Sequence, residues 1–422
     1  MFKVFKFGGA SIKDAQAIRN IAMILRQSSY KRLVIVLSAM GKNTNALEAI
    51  LHTRRTQSND LPLLLENLKT FHLNICHELF DTCPKDLQLI LESYFSKLID
   101  HLDQYADAAY DTHYDQTVVF GELMATSILA YYLKETGFDL VHADVRELIH
   151  TDRSFRAARV DWDKTVDAFH KLVQQETASI ILIQGFIGGT SDGFSTTLGR
   201  EGSDYSAAIA AYCLQATDVT IWKDVPGLLN ADPKRFEKTV KLHQLSYQEA
   251  IELAYYGASV LHPKTLKPLQ NKNIPLYIRS FLNPQNPPTV IDHQSEMDMA
   301  VPSFIVKDNQ MLVSIHTRDA SFMDEQRLHY LFGVLHRIGI HAHLIQISAL
   351  SLSICSDEVK TKLQALLTEL RDGYFVRYNT GLQLFTVRHY NGHEQLFDEF
   401  VKGKEVLLEQ RSRLTLQLVL RN

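Results

Sequence analysis

Residues 4–14, VFKFGGASIKD, set a lysine inside a short apolar run and directly ahead of two adjacent glycines. The alternation through Val4, Phe5, Lys6 and Phe7 predicts a strand with Lys6 on the same face as Val4, where burial favours an apolar side chain. An ammonium group there calls for an anion. Gly8 and Gly9 suggest one, because a turn without Cβ atoms lets backbone amides approach a phosphate with a helix N-terminus behind them. A glycine pair alone equally marks a tight turn after a strand. The lysine beside it is the part that points to phosphate.

Two further segments carry similar chemistry. TLGREGSDYSAAIAAY sets Gly199, Gly202, Ser203 and Asp204 just ahead of an apolar helix. Asp204 suits a helix cap, whereas Arg200, flanked by turn residues, presents a planar fork that fits a carboxylate in two-point contact. IWKDVPGLLNADPK runs from an apolar strand into a turn-rich loop with Lys223, Asp224 and Lys234. Lys223 and Asp224 fall at the carboxyl end of that strand, the edge at which open α/β sheets bind ligands.

The elements that must position these groups follow from periodicity. A strand near residues 2–7, an amphipathic helix over 14–26 and the apolar run RLVIVLSA form a β-α-β unit, the signature of a parallel sheet covered by helices. Residues 60–136 read as a helical insertion. Strand patterns return at FDLVHAD, SIILIQGFIG, DVTIWKDV and IPLYIRSF, with helices at SDYSAAIAAYCLQA and SYQEAIELAYYG, so alternation runs to about residue 280. Residues 282–298, LNPQNPPTVIDHQSEMD, are rich in Pro, Asn and polar side chains and read as a linker. The expected division is therefore 1–297 and 303–422. The second part reads β-α-β-β-α-β over about 310–379, the ferredoxin-like arrangement, followed by an abbreviated unit over about 380–422 that starts at LQLFTVRH and includes a helix near EQLFDEFV.

Composition narrows the class. The chain has 422 residues, 45% of them hydrophobic, and a formal net charge of −4, so it can bury large cores and carries no general attraction for nucleic acid or acidic membranes. Cys76, Cys83, Cys213 and Cys355 form no zinc-ligand spacing and fit reduced thiols in a cytoplasmic setting. No apolar stretch approaches the roughly 18 residues of a membrane span, and no signal-peptide core is present. His72, Cys76 and His77 in HLNICHELF lie on one helix, where helix-spaced pairs usually reflect packing.

With these segments in place the sequence resembles aspartate kinases of the amino-acid kinase family over nearly its whole length. The resemblance rests on KFGGAS, VLSAMGKNTN, FGELMA, TLGREGSDYSAA, IWKDVPGLLNADPK and YYGASVLHPKT, in the family's order and at similar spacings. It implies a three-layer α/β/α open, mostly parallel sheet followed by ferredoxin-like ACT regulatory modules. It also implies phosphoryl transfer from ATP, carried with Mg2+, to the side-chain carboxylate of L-aspartate, the first step towards lysine, threonine and methionine. By that resemblance Lys6 contacts the transferring group and Gly8 and Gly9 support the phosphates. Ser11, Ser38, Thr44, Glu122, Arg200 and Ser203 fall on substrate positions, with Arg200 on the α-carboxylate and Glu122 on the ammonium. Asp204 matches an organiser of the active-site lysine and metal, and Lys223, Asp224, Leu229, Lys234, Ser259 and Val260 fall on nucleotide positions. Taken alone, Glu122 reads as a solvated charge at a helix start.

The chain departs from the family's pattern in places. Ser259 stands where many relatives carry lysine, Leu229 where they carry tyrosine and Lys234 where they carry arginine. Lys223 occupies a position where threonine or serine is common, which makes it, ahead of Lys264, the expected source of the displaced positive charge. The regulatory segment HTRDASFMDEQRLHYLF lacks the glycine usual between the first ACT strand and helix, so the ACT modules are expected to join copies of the chain in a homo-oligomer, with an amino-acid effector as the alternative role. With Asn422 as the last residue of the sequence, no further dinucleotide-binding unit is expected. Two other functions remain open: a kinase of another amino-acid carboxylate, and a non-catalytic amino-acid sensor.

Overall fold

The structure, a computed structural model, describes residues 1–258, 261–390 and 400–421. The chain forms two compact units. The first comprises Met1–Leu228, Lys241–Ile251 and Val260–Ser295, and the second Leu229–Val240, Glu252–Ser259 and Glu296–Asn422.

In the first unit β1 (Phe2–Phe7) passes through a 3-10 turn at Gly9–Ile12 into α1 (Ala15–Gln27), then β2 (Arg32–Leu37), α2 (Asn43–Arg55), α3 (Leu61–Leu79), α4 (Lys85–Gln104) and α5 (Tyr110–Glu135). Asp14 caps α1 by accepting the Ala17 amide at 2.8 Å, and Ile18, Ile21, Ala22 and Leu25 give the helix its buried stripe. There follow β3 (Leu140–His142), α6 (Trp162–Gln175), β4 (Ile180–Gln184), a hairpin of β5 (Ile187–Gly189) and β6 (Ser195–Thr197), α7 (Gly202–Leu214), β7 (Asp218–Lys223), β8 (Gln244–Ser246), α8 (Tyr247–Tyr256), α9 (Pro263–Lys272), β9 (Leu276–Ser280) and β10 (Thr289–Asp292). The main sheet has the order β3-β4-β2-β1-β7-β9-β10-β8, parallel except for β10 against β9. Its apolar strands, such as Leu33–Leu37, are buried on both faces.

Two sequence expectations need correction here. Residues 282–298 are not all linker: Thr289 and Ile291 are buried, and their alternation with polar neighbours makes β10 a sheet strand. The helical run also begins earlier, with α2, whose Leu47, Ile50 and Leu51 are buried.

In the second unit β11 (Ser303–Thr317), α10 (Glu325–Ile338), β12 (Ala342–Ile347), β13 (Ser351–Asp357), α11 (Lys360–Leu370), β14 (Tyr374–Arg388), β15 (Glu405–Arg411) and β16 (Thr415–Arg421) build one antiparallel sheet, ordered β12-β13-β11-β14-β16-β15. Two modules on separate strands were expected. Instead YFVRY and LQLFTVRH are one strand, β14, which pairs with the equally long β11 and carries the sheet from the ferredoxin-like part into β16 and β15. The helix expected near EQLFDEFV falls mostly outside the described residues. Leu331, Val334, Leu335 and Leu366 form the core beneath α10 and α11. Phe236 explains why the segment Leu229–Val240 belongs to this unit, since its ring stacks on Phe304 and Phe385 at 5.6 and 6.4 Å.

Candidate active site

β1 and β7 are parallel neighbours, and α7 starts beside their carboxyl ends, so three residues distant in sequence converge. Lys6 Nζ lies 2.7 Å from Asp204 Oδ1, and Lys223 Nζ lies 3.4 Å from Asp204 Oδ2. Lys6 and Asp204 are 8% and 2% exposed. Burial works to raise the Asp204 carboxyl, but the ammonium groups of Lys6 and Lys223 outweigh it and hold the group below the usual carboxylate range. Asp204 therefore stays ionised, and the cluster of two lysines and one aspartate keeps a net charge of +1. Capping is not its role: no side chain caps α7, whose N-cap is Glu201.

The glycine turn is held by close packing. A Cβ on Gly9 would stand 2.6 Å from the Gly41 carbonyl oxygen and 3.0 Å from that of Ala39, and the Gly41 amide donates to the Gly9 carbonyl at 3.0 Å. Gly9 thus seats the turn after β1 against the loop after β2. A Cβ on Gly8 would stand 3.2 Å from Lys6 Nζ, so this glycine leaves room for the lysine head.

The cluster opens on a cavity of about 530 Å3 lined also by Gly9, Ser38, Thr44, Glu122, Arg200 and Ser203. Glu122 is no solvated terminal charge. It sits midway along α5, a helix buried without a break from His113 to Ala130, and is itself 1% exposed. Its Oε1 accepts the Ala39 amide at 3.3 Å while Oε2 has no partner. Burial pushes its carboxyl up to about 8. A buried carboxylate oxygen without a donor, facing a cavity, is suited to an ammonium group. Arg200 is exposed, and no carboxylate among the described residues pairs with it.

Several residues of the cavity escaped the sequence reading. Arg156 adopts a left-handed backbone, φ 64°, lays its guanidinium over the Tyr114 ring at 4.3 Å and lies 3.7 Å from both Glu48 and Asp111. Buried Asp115 fixes this wall by accepting the Arg156 amide at 3.0 Å, the Thr197 amide at 2.8 Å and the Thr197 hydroxyl at 2.7 Å. Glu201, φ 53°, lines the cavity with Oε2 unpartnered. Nothing in SFRAAR forms a pattern, so Arg156 left no sequence signal. Glu201 lies inside the quoted GREGSDY stretch, and a charged residue between Arg200 and Gly202 was the available clue.

Other expected residues lie elsewhere. Gly8 and Ser11 do not line the cavity; the Ser11 hydroxyl donates to the Trp222 carbonyl at 3.5 Å, linking the turn to β7. Asp224 follows β7 with its side chain exposed. Leu229 and Lys234 belong to the second unit, where the Lys234 amide donates to Asp232 at 2.9 Å. Ser259 and Val260 lie outside the described residues. Lys264 lines a different cavity with Trp162, Tyr205 and Tyr212, which leaves Lys223 as the lysine beside Lys6. His72 is buried, bonded to the Leu68 carbonyl at 2.8 Å and to Asn43 at 3.2 Å.

The first unit is thus an α/β unit with a mostly parallel sheet that gathers two lysines and one aspartate at its strand ends. Residues 1–280 match the amino acid kinase family, and the chain belongs to that family. It is 30% identical to the lysine-sensitive aspartokinase 3 of Escherichia coli, over 90% of this chain and 85% of that one. It is also 30% identical to the chloroplastic bifunctional aspartokinase/homoserine dehydrogenase 2 of Arabidopsis thaliana over 91% of this chain, but spans only 42% of that relative's length. The crystal structure of E. coli aspartokinase III with aspartate and ADP superposes with a TM-score of 0.86 and 28% identity, over 100% of this chain and 96% of that one. Among the described residues no helix is long and apolar enough to cross a membrane.

Proposed function

We propose that the protein transfers the γ-phosphoryl group of ATP to the side-chain carboxylate of L-aspartate, yielding 4-phospho-L-aspartate and ADP. The observation that carries this reading is the Lys6–Asp204–Lys223 cluster, a cationic anchor at one end of a cavity whose other lining includes Glu122 and Arg200. An aspartate side chain, with a reference pKa of about 3.9, is already an anionic nucleophile and needs no general base. What it needs is to be held against a second anion. Arg200 takes the α-carboxylate and Glu122 the ammonium, which leaves the side-chain carboxylate directed at the lysines. Lys6 and Lys223 stabilise charge gathering on the transferred group, and Asp204 holds both ammonium groups in place beforehand.

Mg2+ enters this reading on the phosphates of ATP, where it neutralises charge. We assign the second unit to assembly with another copy of the chain: Phe322, Ile347, Leu350 and Phe375 expose apolar surface there. An amino-acid effector at that unit would appear as inhibition when lysine, threonine or methionine is titrated into the kinase assay. The four cysteines are free and buried, consistent with a reducing cytoplasmic setting.

Trapping the acyl phosphate with hydroxylamine tests the reaction. Hydroxamate formed from ATP and aspartate is the expected result. Hydroxamate only from glutamate or another acid would shift the substrate, and none from any acid would leave a sensor.

A further inference from the structure

The main sheet has a second recess on the opposite face from Lys6. Alternation along β1 turns Lys3 and Phe5 away from the α7 side, and alternate residues of β7 and β9 line the same space, a cavity of about 390 Å3 bounded by the end of α1. Central strands of a helix-covered parallel sheet ordinarily read as continuous apolar runs. Here they present Lys3, Asp218, Thr220, Tyr277 and Arg279 to one another.

The polar groups do not cancel. Lys3 pairs with Asp218 at 3.6 Å, and Asp218 also accepts the Thr217 hydroxyl at 3.0 Å. Arg279 has no carboxylate partner among the described residues, only a long hydrogen bond to the Pro284 carbonyl at 3.5 Å. Trp222, 4% exposed, lines the recess, and its buried indole N–H lacks an acceptor. One unpaired guanidinium and one unpaired donor, set among the rings of Phe5, Trp222 and Tyr277, leave an excess of positive charge and donors over acceptors.

We propose that this recess binds a small monocarboxylate carrying an apolar or aromatic body. The carboxylate takes the fork of Arg279 and the indole N–H, and the body lies against the aromatic wall. Trp222 stacks on Phe7 at 6.0 Å and is followed directly by Lys223, so an occupant sits one peptide unit from the cationic cluster.

Trp162 and Trp222 are the two tryptophans of the chain. The full chain carrying Trp162→Phe therefore reports on Trp222 alone by fluorescence. Phenylacetate is the probe, and the neutral phenylacetamide its control. A ligand of this size should bind with a Kd of roughly millimolar order. Saturable change with phenylacetate, weakened about tenfold or more for the amide and about tenfold or more by Arg279→Met, supports the site. No saturable change, equal binding of acid and amide, or undiminished binding in Arg279→Met overturns it. Should Arg279→Met melt early, the comparison of acid and amide on the protein with native Arg279 decides alone.

Discussion

Replacing Lys223 by methionine removes one charge from the cluster while keeping a side chain of similar length. With Lys6 and Lys223 facing one aspartate, the cluster carries +1; in Lys223→Met it carries zero. At 3.4 Å, the separation of Lys223 and Asp204, a unit-charge interaction is worth about 5 kcal/mol at an effective dielectric of about 20. The Lys223 side chain is 20% exposed, so water takes part of that. The share realised only as charge builds on the transferred phosphoryl group should resemble that of an oxyanion-hole donor, about 2.7–4 kcal/mol, or roughly 100- to 1000-fold in kcat. Stability should change little, because Asp204 keeps Lys6 at 2.7 Å. Turnover is read by hydroxamate formation, with thermal melting alongside and Lys264→Met, in its separate cavity, as the control. A kcat within about threefold of the parent protein for Lys223→Met, in a protein that melts normally, would refute the assignment of a transition-state role to this lysine.

Glu122, with its carboxyl pushed up to about 8, stays protonated in the empty cavity at pH 7 while the unfolded chain has lost that proton. Stability from this group is fully present below the unfolded value of 4.5, falls with rising pH by up to about 1.4 kcal/mol per unit, and levels above about 8. Binding of an ammonium group favours the carboxylate, so the KM for aspartate should fall as pH rises towards 8. Glu122→Gln should flatten both dependences and raise KM about 10- to 100-fold, read from melting curves and initial rates. Gly9→Ala places a Cβ 2.6 Å from the Gly41 carbonyl oxygen and should cost about 1–3 kcal/mol in denaturant unfolding. Asp115→Asn loses acceptor capacity for the Arg156 and Thr197 amides and should cost about 1–3 kcal/mol, with raised KM as the cavity wall loosens.

What was legible in the sequence was local. KFGG, GREGSD and IWKD each pair a strand or helix terminus with a turn, and three such termini at the carboxyl edge of one parallel sheet must come close whatever the loops between them do. Glu122 was the opposite case. Its role depends on α5 being enclosed along its length by α2, α4 and the sheet, a tertiary fact with no 3.6-residue signature, because a helix buried on all sides shows no polar face. Arg156 depends on a left-handed backbone held by Asp115, 41 residues away, which no spacing rule announces. The strand boundary inside the second unit was missed for a related reason. The division at about 379/380 falls inside β14, whose antiparallel pairing with β11 continues on both sides of it.

The charge inventory connects these observations. A lysine on an interior strand is unstable without an anion, and Asp204 provides one at 2.7 Å, but a single pair would be neutral and would offer nothing to a phosphate. Lys223 supplies the excess. Because Asp204 is held ionised by both lysines, the cluster would enter the proposed reaction already oriented, so that charge appearing on the transferred group would meet ammonium groups that need not rearrange. In the proposed complex the same reasoning accounts for Glu122. A carboxyl that burial keeps protonated at pH 7 in the empty cavity adds no negative charge to repel the carboxylates of aspartate. The arriving ammonium group favours its ionised form, so that it releases its proton to solvent and pairs.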